Sequence, residues 1–262
     1  MIQIRDLSIA YGKGTPLENN VFKDFNLSIP EHQFVTVIGS NGAGKSTLLS
    51  AIAGEAEVQS GSILLDNKNI TNLPIHKRSH YLARVFQDPL TGTCENLTIE
   101  ENLALANART RSRTLSSFRK TNRRSVFVKK LKSLQLGLEN RLDDKIGLLS
   151  GGQRQAISLL MASLQPMKLL LLDEHTAALD PKTAKFILAL TEEIINTEKL
   201  TALMVTHSMS HALSVGDRTI MLHQGKIALD VADEQRARMD AQELISQFHY
   251  HDIDSDALLL SN

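Results

Sequence analysis

The stretch GSNGAGKST, residues 39 to 47, constrains this chain more than any other. It fits G-x-x-x-x-G-K-[ST], follows the apolar run FVTVI (residues 34 to 38) and precedes a helical pattern from Lys45 to about Ala53. Gly39, Gly42 and Gly44 let the backbone bend. The N–H groups of the loop Gly39, Ser40, Asn41, Gly42, Ala43, Gly44, Lys45, Ser46 and Thr47 then converge on one anion. The following helix N-terminus adds partial positive charge. In such a cradle Lys45 reaches the β- and γ-phosphates of ATP, and the Ser46 hydroxyl ligates Mg²⁺. The continuous apolar run before the loop predicts a buried parallel strand.

LLLLDE, residues 169 to 174, supplies what the loop lacks. An apolar strand ending in two acids is costly unless a cation or water compensates them. Asp173 is expected to hold Mg²⁺ through its water shell, and Glu174 to polarise the water that attacks the γ-phosphate. His207 stands just past the apolar strand TALMV, after Thr206, at the carboxyl end where α/β sheets place their ligands. Gln87 follows the strand YLARVF and is positioned for Mg²⁺ or the water; Tyr11 follows the first strand and is positioned to stack on adenine.

The remaining pattern alternates strands with helices, which predicts a parallel α/β core. Residues 2–10 and 21–29 read as a β-rich front end, and 62–66 as a further strand. A helical stretch runs from 98 to 165, opened by Thr98 and Glu101 as a capping box. Pro181 opens a helix that continues to about Thr197. Residues 217–223 and 226–231, with Gln224-Gly225 between them, read as a hairpin. An amphipathic helix is expected at about 240–248. No stretch approaches the roughly 18 to 20 apolar residues needed to span a bilayer. The N-terminus reads as a strand and not as a signal peptide. The formal net charge is zero, so no global field draws the chain to nucleic acid or anionic lipid. The single cysteine, Cys94, excludes an intramolecular disulfide and fits a reducing cytosol.

A second glycine-rich turn, GLLSGGQRQA at 147 to 156, precedes a helix of its own but has no lysine. Together with the phosphate loop, Gln87, LLLLDE, Ala178-Leu179-Asp180 and His207, all in this order, it resembles the nucleotide-binding subunit of ATP-binding cassette (ABC) transporters. The resemblance runs from about residue 2 to 231, and LSGGQ is its specific element. It implies an α/β fold with a RecA-like P-loop NTPase core, an antiparallel β subdomain and an inserted α-helical subdomain. The expected division of this single domain is 1–90 for the β subdomain and first part of the core, 91–165 for the helical subdomain, and 166–262 for the rest. Tyr11 matches the family's adenine-stacking aromatic, Gln87 its Q-loop, Asp180 its D-loop and His207 its switch histidine.

The resemblance also implies a mechanism. Two copies bind two ATP molecules head to tail, and Ser150, Gly151, Gly152 and Gln153 of one copy act on the nucleotide held by the other. The lysine missing from LSGGQ is then supplied by the other chain's Lys45. The implied partners are a second copy, an integral membrane permease and an extracytoplasmic substrate-binding protein, with the chain cytoplasmic and peripheral on the inner face of the membrane. Import of a solute is expected, and EHTAALDPKTA resembles a branch that includes aromatic amino acid uptake. The alternatives are the ATPase of an exporter, or a permease-independent ABC ATPase acting in nucleic acid repair or translation. Nucleic acid is not an expected partner, because coiled-coil insertions and tandem cassettes are absent.

Two features depart from or add to that pattern. The family's usual Glu-Pro-Thr-Ser-Gly-Leu-Asp is here EHTAALD, with His175, Ala177 and Ala178; the acids Glu174 and Asp180 are kept. His175 reads as a structural variant. Between Arg109 and Lys132 lie ten basic residues and no acid. This segment reads as a solvated face or as a patch for anionic lipid or an acidic partner, with Phe118, Val126, Phe127 and Leu131 as its buried side.

Overall fold

The computed structural model describes residues 1–109, 121–244 and 246–247. Along the chain run strands β1 (Ile2–Tyr11), β2 (Asn19–Ile29) and β3 (Phe34–Gly39), helix α1 (Lys45–Ala53), strands β4 (Ser60–Leu65) and β5 (Lys68–Asn69), and helix α2 (Ile75–Arg78). Strand β6 (Leu82–Val85) is followed by helices α3 (Ile99–Asn107), α4 (Thr121–Ser133) and α5 (Gly151–Ser163). Then come β7 (Leu169–Asp173), α6 (Pro181–Thr197), β8 (Thr201–Val205), α7 (Met209–Ser214), β9 (Arg218–His223), β10 (Lys226–Ala232) and α8 (Asp233–Arg238). The chain divides into two units, residues 1–78 with 201 onward, and residues 79–200.

In the first unit, β2, β1, β4 and β5 form an antiparallel sheet in that order. Buried residues along β1 are Ile2 and Ile4, then Leu7 and Ile9. This phase slip is absorbed by a bulge between Ile4 and Leu7, where Asp6 takes a φ of 48°. The partner strand slips with it, from Phe22 to Phe25, with Asp24 at φ 51°. The Asn26 side chain ties the two strands there, donating to the Asp6 carboxylate at 3.0 Å and accepting from the Asp6 N–H at 3.1 Å. The second sheet of this unit runs β10, β9, β3, β8, with β3 parallel to both β8 and β9. Every residue of β3 is buried, as expected for a strand covered on both faces. Its one polar side chain, Thr36, is satisfied by the Thr219 hydroxyl at 2.9 Å and the Ala212 carbonyl at 3.0 Å.

The expected hairpin forms, with Gln224 and Gly225 both at positive φ, 45° and 73°. Buried Arg78 closes the C-terminal end of α1, donating to the carbonyls of Ala51 at 2.7 Å and Ile52 at 2.8 Å. Of the expected last helix, residues 241–244 and 246–247 are helical, and Leu244 is buried with Ile38, Ala212 and Met221. Residues 245 and 248 of that helix lie outside the described residues.

In the second unit, β6 and β7 pair in parallel, with Arg84 opposite Leu171 and Val85 opposite Leu172. The Thr98 capping box is present: the Thr98 hydroxyl accepts from the Glu101 N–H, and the Glu101 carboxylate accepts from the Thr98 N–H at 2.8 Å. On α4, Phe127 and Leu131 are buried as expected, but Val126 is half exposed. The stripe that faces inward is Phe127, Leu131 and Leu134, at spacings of four and three, and Val126 lies about 100° away from it. Phe118 and the part of the basic segment at 110–120 lie outside the described residues. Of its described members, Arg109 donates to the Ala162 carbonyl, and Arg124 forks onto Asp143 at 3.0 and 2.7 Å and also meets Glu100.

Candidate nucleotide site

In the first unit the phosphate loop leaves the carboxyl end of β3, and Gly39, Gly42 and Gly44 take φ values of 152°, 80° and 104°. A Cβ on Gly39 would stand 2.3 Å from the Leu222 carbonyl oxygen, so that position admits only glycine. Lys45 is buried, and its ammonium donates to the carbonyls of Gly39 at 2.7 Å and Ser40 at 2.9 Å. The charge therefore sits in the hollow of the loop. Helix α1 starts at Lys45 with Gly44 as N-cap, so no capping side chain covers its first turn, and its N–H groups suit an anion. The hairpin tip braces the loop from outside, the Gly225 N–H donating to the Ala43 carbonyl at 3.2 Å.

His207 is exposed just past β8. Because β3 and β8 are parallel with Val37 opposite Val205, His207 leaves its strand level with Gly39. The first unit thus brings the loop and His207 to one end of two adjacent strands. Tyr11 ends β1 with about half its surface exposed (47%). Its partner strand β2 reaches the loop through Phe22, whose ring would lie 2.8 Å from a Cβ on Gly44.

The second unit repeats this logic. Val85 stands opposite Leu172, so exposed Gln87 and half-buried Glu174 emerge level from the ends of β6 and β7. Glu174 takes a φ of 46°, an uncommon conformation for a side-chain-bearing residue and one that recurs at functional sites. Asp173, one residue earlier, is paired with Arg84 at 2.6 Å. His175 is buried with its Nε2 3.0 Å from the Thr191 hydroxyl.

LSGGQ is not the turn that its glycines suggest. Helix α5 starts on Gly151, both glycines lie within its first turn, and neither has a positive φ. Ser150 is the N-cap, and Ser150 and Gln153 form a capping box: the Gln153 N–H donates to the Ser150 hydroxyl at 3.3 Å, and the Ser150 N–H donates to the Gln153 side chain at 3.2 Å. S-x-x-Q is the sequence signal for this box. Gly152 is needed for space: a Cβ there would stand 2.3 Å from the Thr183 methyl on α6, whereas one on Gly151 would meet Leu179 at an ordinary 3.5 Å. Asp180 is the N-cap of α6, its carboxylate accepting from the Thr183 N–H at 3.1 Å. Hydrogen bonding from the Thr183 side chain and backbone holds its carboxyl below the usual carboxylate range. Buried Gln155 donates to the Phe86 carbonyl at 3.2 Å, tying the signature helix to the residue before Gln87. Neither Arg84 nor Gln155 stands out in the sequence as a site residue, because their partners lie on other elements.

No cluster of three His, Cys, Asp or Glu side chains that would hold a metal exists among the described residues. Mg²⁺ of nucleotide enzymes takes only one or two protein oxygens together with phosphates. The Ser46 hydroxyl, Gln87 amide oxygen and Asp173 carboxylate are hard oxygen donors of the kind it requires.

A model of the ABC transporter family matches residues 22–177. A tyrosine transport ATP-binding protein of Clostridioides difficile is 45% identical over 252 residues, covering 95% of this chain and 99% of that protein. A spermidine/putrescine import ATP-binding protein of Haemophilus influenzae is 33% identical, covering 95% of this chain but 62% of that longer protein. Among solved structures, a dimeric ATP-binding cassette in a post-hydrolysis state with ADP and Pi superimposes with a TM-score of 0.76 at 28% identity, over 88% of this chain and 98% of its own. The α/β fold with a RecA-like core expected from the sequence is the fold of these cassettes.

Proposed function

The chain belongs to the ABC transporter family, and on that premise we propose that it is the ATP-hydrolysing subunit of a solute importer, with an amino acid as the transported class. Its enzymatic activity is ATP hydrolysis, and its working form is a dimer. The observation that carries this reading is the capped N-terminus of α5. A chain that already has one complete phosphate loop presents a second helix N-terminus, built by LSGGQ, whose first turn has no side chain at two successive positions. The likeness to the tyrosine transport protein supports the substrate class, and the likeness to the spermidine/putrescine import protein supports import.

In this reading Lys45 and the loop amides bind the β- and γ-phosphates, and Tyr11 stacks on adenine. Ser46, Gln87 and Asp173 hold Mg²⁺, which supplies charge neutralisation at the phosphates when bound. Glu174 orients and polarises the attacking water, and His207 contacts the γ-phosphate. A second copy contributes Ser150, Gly151, Gly152 and Gln153, so that catalysis is mostly electrostatic and positional. Asp180 keeps α6 in register beneath the signature helix. Among the described residues no helix is long and apolar enough to cross a membrane. From the likeness to transport and import ATP-binding proteins we assign the membrane passage to a separate permease, with the chain on the cytoplasmic face and a substrate-binding protein outside. Isolation of the tagged chain from its native membranes tests this. Recovery of a multi-spanning permease together with an amino-acid-binding protein is expected; recovery of ribosomes or nucleic acid without any membrane protein would contradict it.

A further inference from the structure

β6 carries one charged side chain, Arg84, between buried Ala83 and Val85. Side chains alternate faces along a strand. Arg84 stands opposite Leu171, so Asp173, two residues on, shares its face, and Phe86, just past the end of β6, lies against Arg84. The guanidinium reaches Asp173 Oδ2 at 2.6 Å and lies 4.9 Å over the Phe86 ring. Both partners of the pair are largely withdrawn from water, at 10% and 16% side-chain exposure. Water therefore screens this contact far less than it would a surface pair.

A carboxylate attracts a divalent cation through its negative charge, and a guanidinium in contact with it cancels much of that charge. We propose that Arg84 keeps free divalent cations off Asp173, so that metal enters this site only together with the phosphates of a nucleotide. This rests on the assignment of Asp173 to Mg²⁺. Arg84 is thus a tuning residue for metal selectivity, acting through Asp173 and not on the nucleotide. The triphosphate brings enough negative charge to hold the ion beside a carboxylate that is already paired. A lone aqueous ion does not have that help, and Mg²⁺ gives up its water reluctantly.

The test is Mn²⁺ binding to the full chain followed by electron paramagnetic resonance, with and without ATP, for wild type, Arg84→Met, Arg84→Gln and Asp173→Asn. Methionine keeps the packing over Phe86 and removes the charge. Both Arg84 variants should bind Mn²⁺ without nucleotide about tenfold more tightly than wild type, and adding Asp173→Asn to either should abolish the gain. Glutamine keeps the test open should the methionine variant fail to fold. Unchanged or weaker Mn²⁺ binding in a folded Arg84 variant would overturn the proposal. The assignment of Asp173 is read separately. If Asp173→Asn in the presence of Arg84 leaves Mn²⁺–ATP binding unaltered, that assignment fails. If it weakens Mn²⁺–ATP binding while the Arg84 variants match wild type, only the role of Arg84 fails.

Discussion

The imidazole Nε2 of His175 lies 3.0 Å from the Thr191 hydroxyl, and both side chains are buried. The Thr191 hydroxyl has a single proton, which it donates to the Ile187 carbonyl at 2.7 Å. The His175 nitrogen is therefore the donor, and the ring carries its proton on Nε2. The residue after Glu174 is in this way anchored to the middle of α6. Thr191→Val leaves that N–H buried without an acceptor. It should cost about 1 to 3 kcal/mol, measured by denaturant unfolding, with an unchanged slope against denaturant.

The two signature glycines should separate on substitution. Gly151→Ala places its methyl at ordinary contact distance from Leu179, and Gly152→Ala drives it into Thr183. Gly152→Ala should lose about 1 to 3 kcal/mol through overpacking between α5 and α6, while Gly151→Ala keeps wild-type stability. Gly151→Asp should retain ATP binding in equilibrium dialysis and lose turnover, since it puts bulk and negative charge where a phosphate is meant to approach.

Asp180 gives a pH signature. Its carboxyl is held below the ordinary range by Thr183, so its share of stability is complete above the ordinary Asp range and disappears as pH falls through the depressed value. Asp180→Ala should melt below wild type at neutral pH. The difference in Tm should narrow only at acid pH, and a difference that widens on acidification would contradict the capping role.

Glu174→Gln should leave ATP affinity nearly intact, reduce turnover by at least about a hundredfold and accumulate an ATP-bound dimer. Rapid-quench kinetics and light scattering read the two effects. Wild-type hydrolysis by this variant would remove Glu174 from its role.

The parts of the fold that were legible in the sequence are those with local chemistry. The α1 boundaries follow from a glycine loop on one side and Gly54 at φ 87° on the other, and the start of α6 from Asp180 and Pro181. Thr98 and Glu101 announced α3 in the same way. The sequence reads LSGGQ as a glycine-rich turn with a helix directly after it, whereas the helix starts on the first of the two glycines. Here the demand for glycine comes from Thr183, some thirty residues away, and the helix start was carried by Ser150 and Gln153. Hydrophobicity alone puts Val126 inside, but the i, i+4, i+7 stripe from Phe127 excludes it. Within the candidate site, Tyr11 ends a strand of alternating pattern, whereas Glu174 and His207 are legible from the apolar runs that precede them. Arg84, Gln155 and the His175–Thr191 pair were not, because each takes its role from a partner on another element.

In the proposed dimer, LSGGQ of one copy completes the nucleotide site of the other. The most direct measurement is specific ATPase activity as a function of protein concentration, made on mixtures of Lys45→Ala and Gly151→Asp chains. Each variant alone should show near-zero turnover. Activity per chain should rise with wild-type concentration, and partial recovery is expected when the two inactive variants are mixed, since a mixed dimer retains one intact Lys45 loop facing one intact signature. Full turnover by monomeric wild type at all concentrations, with no recovery on mixing, would contradict it.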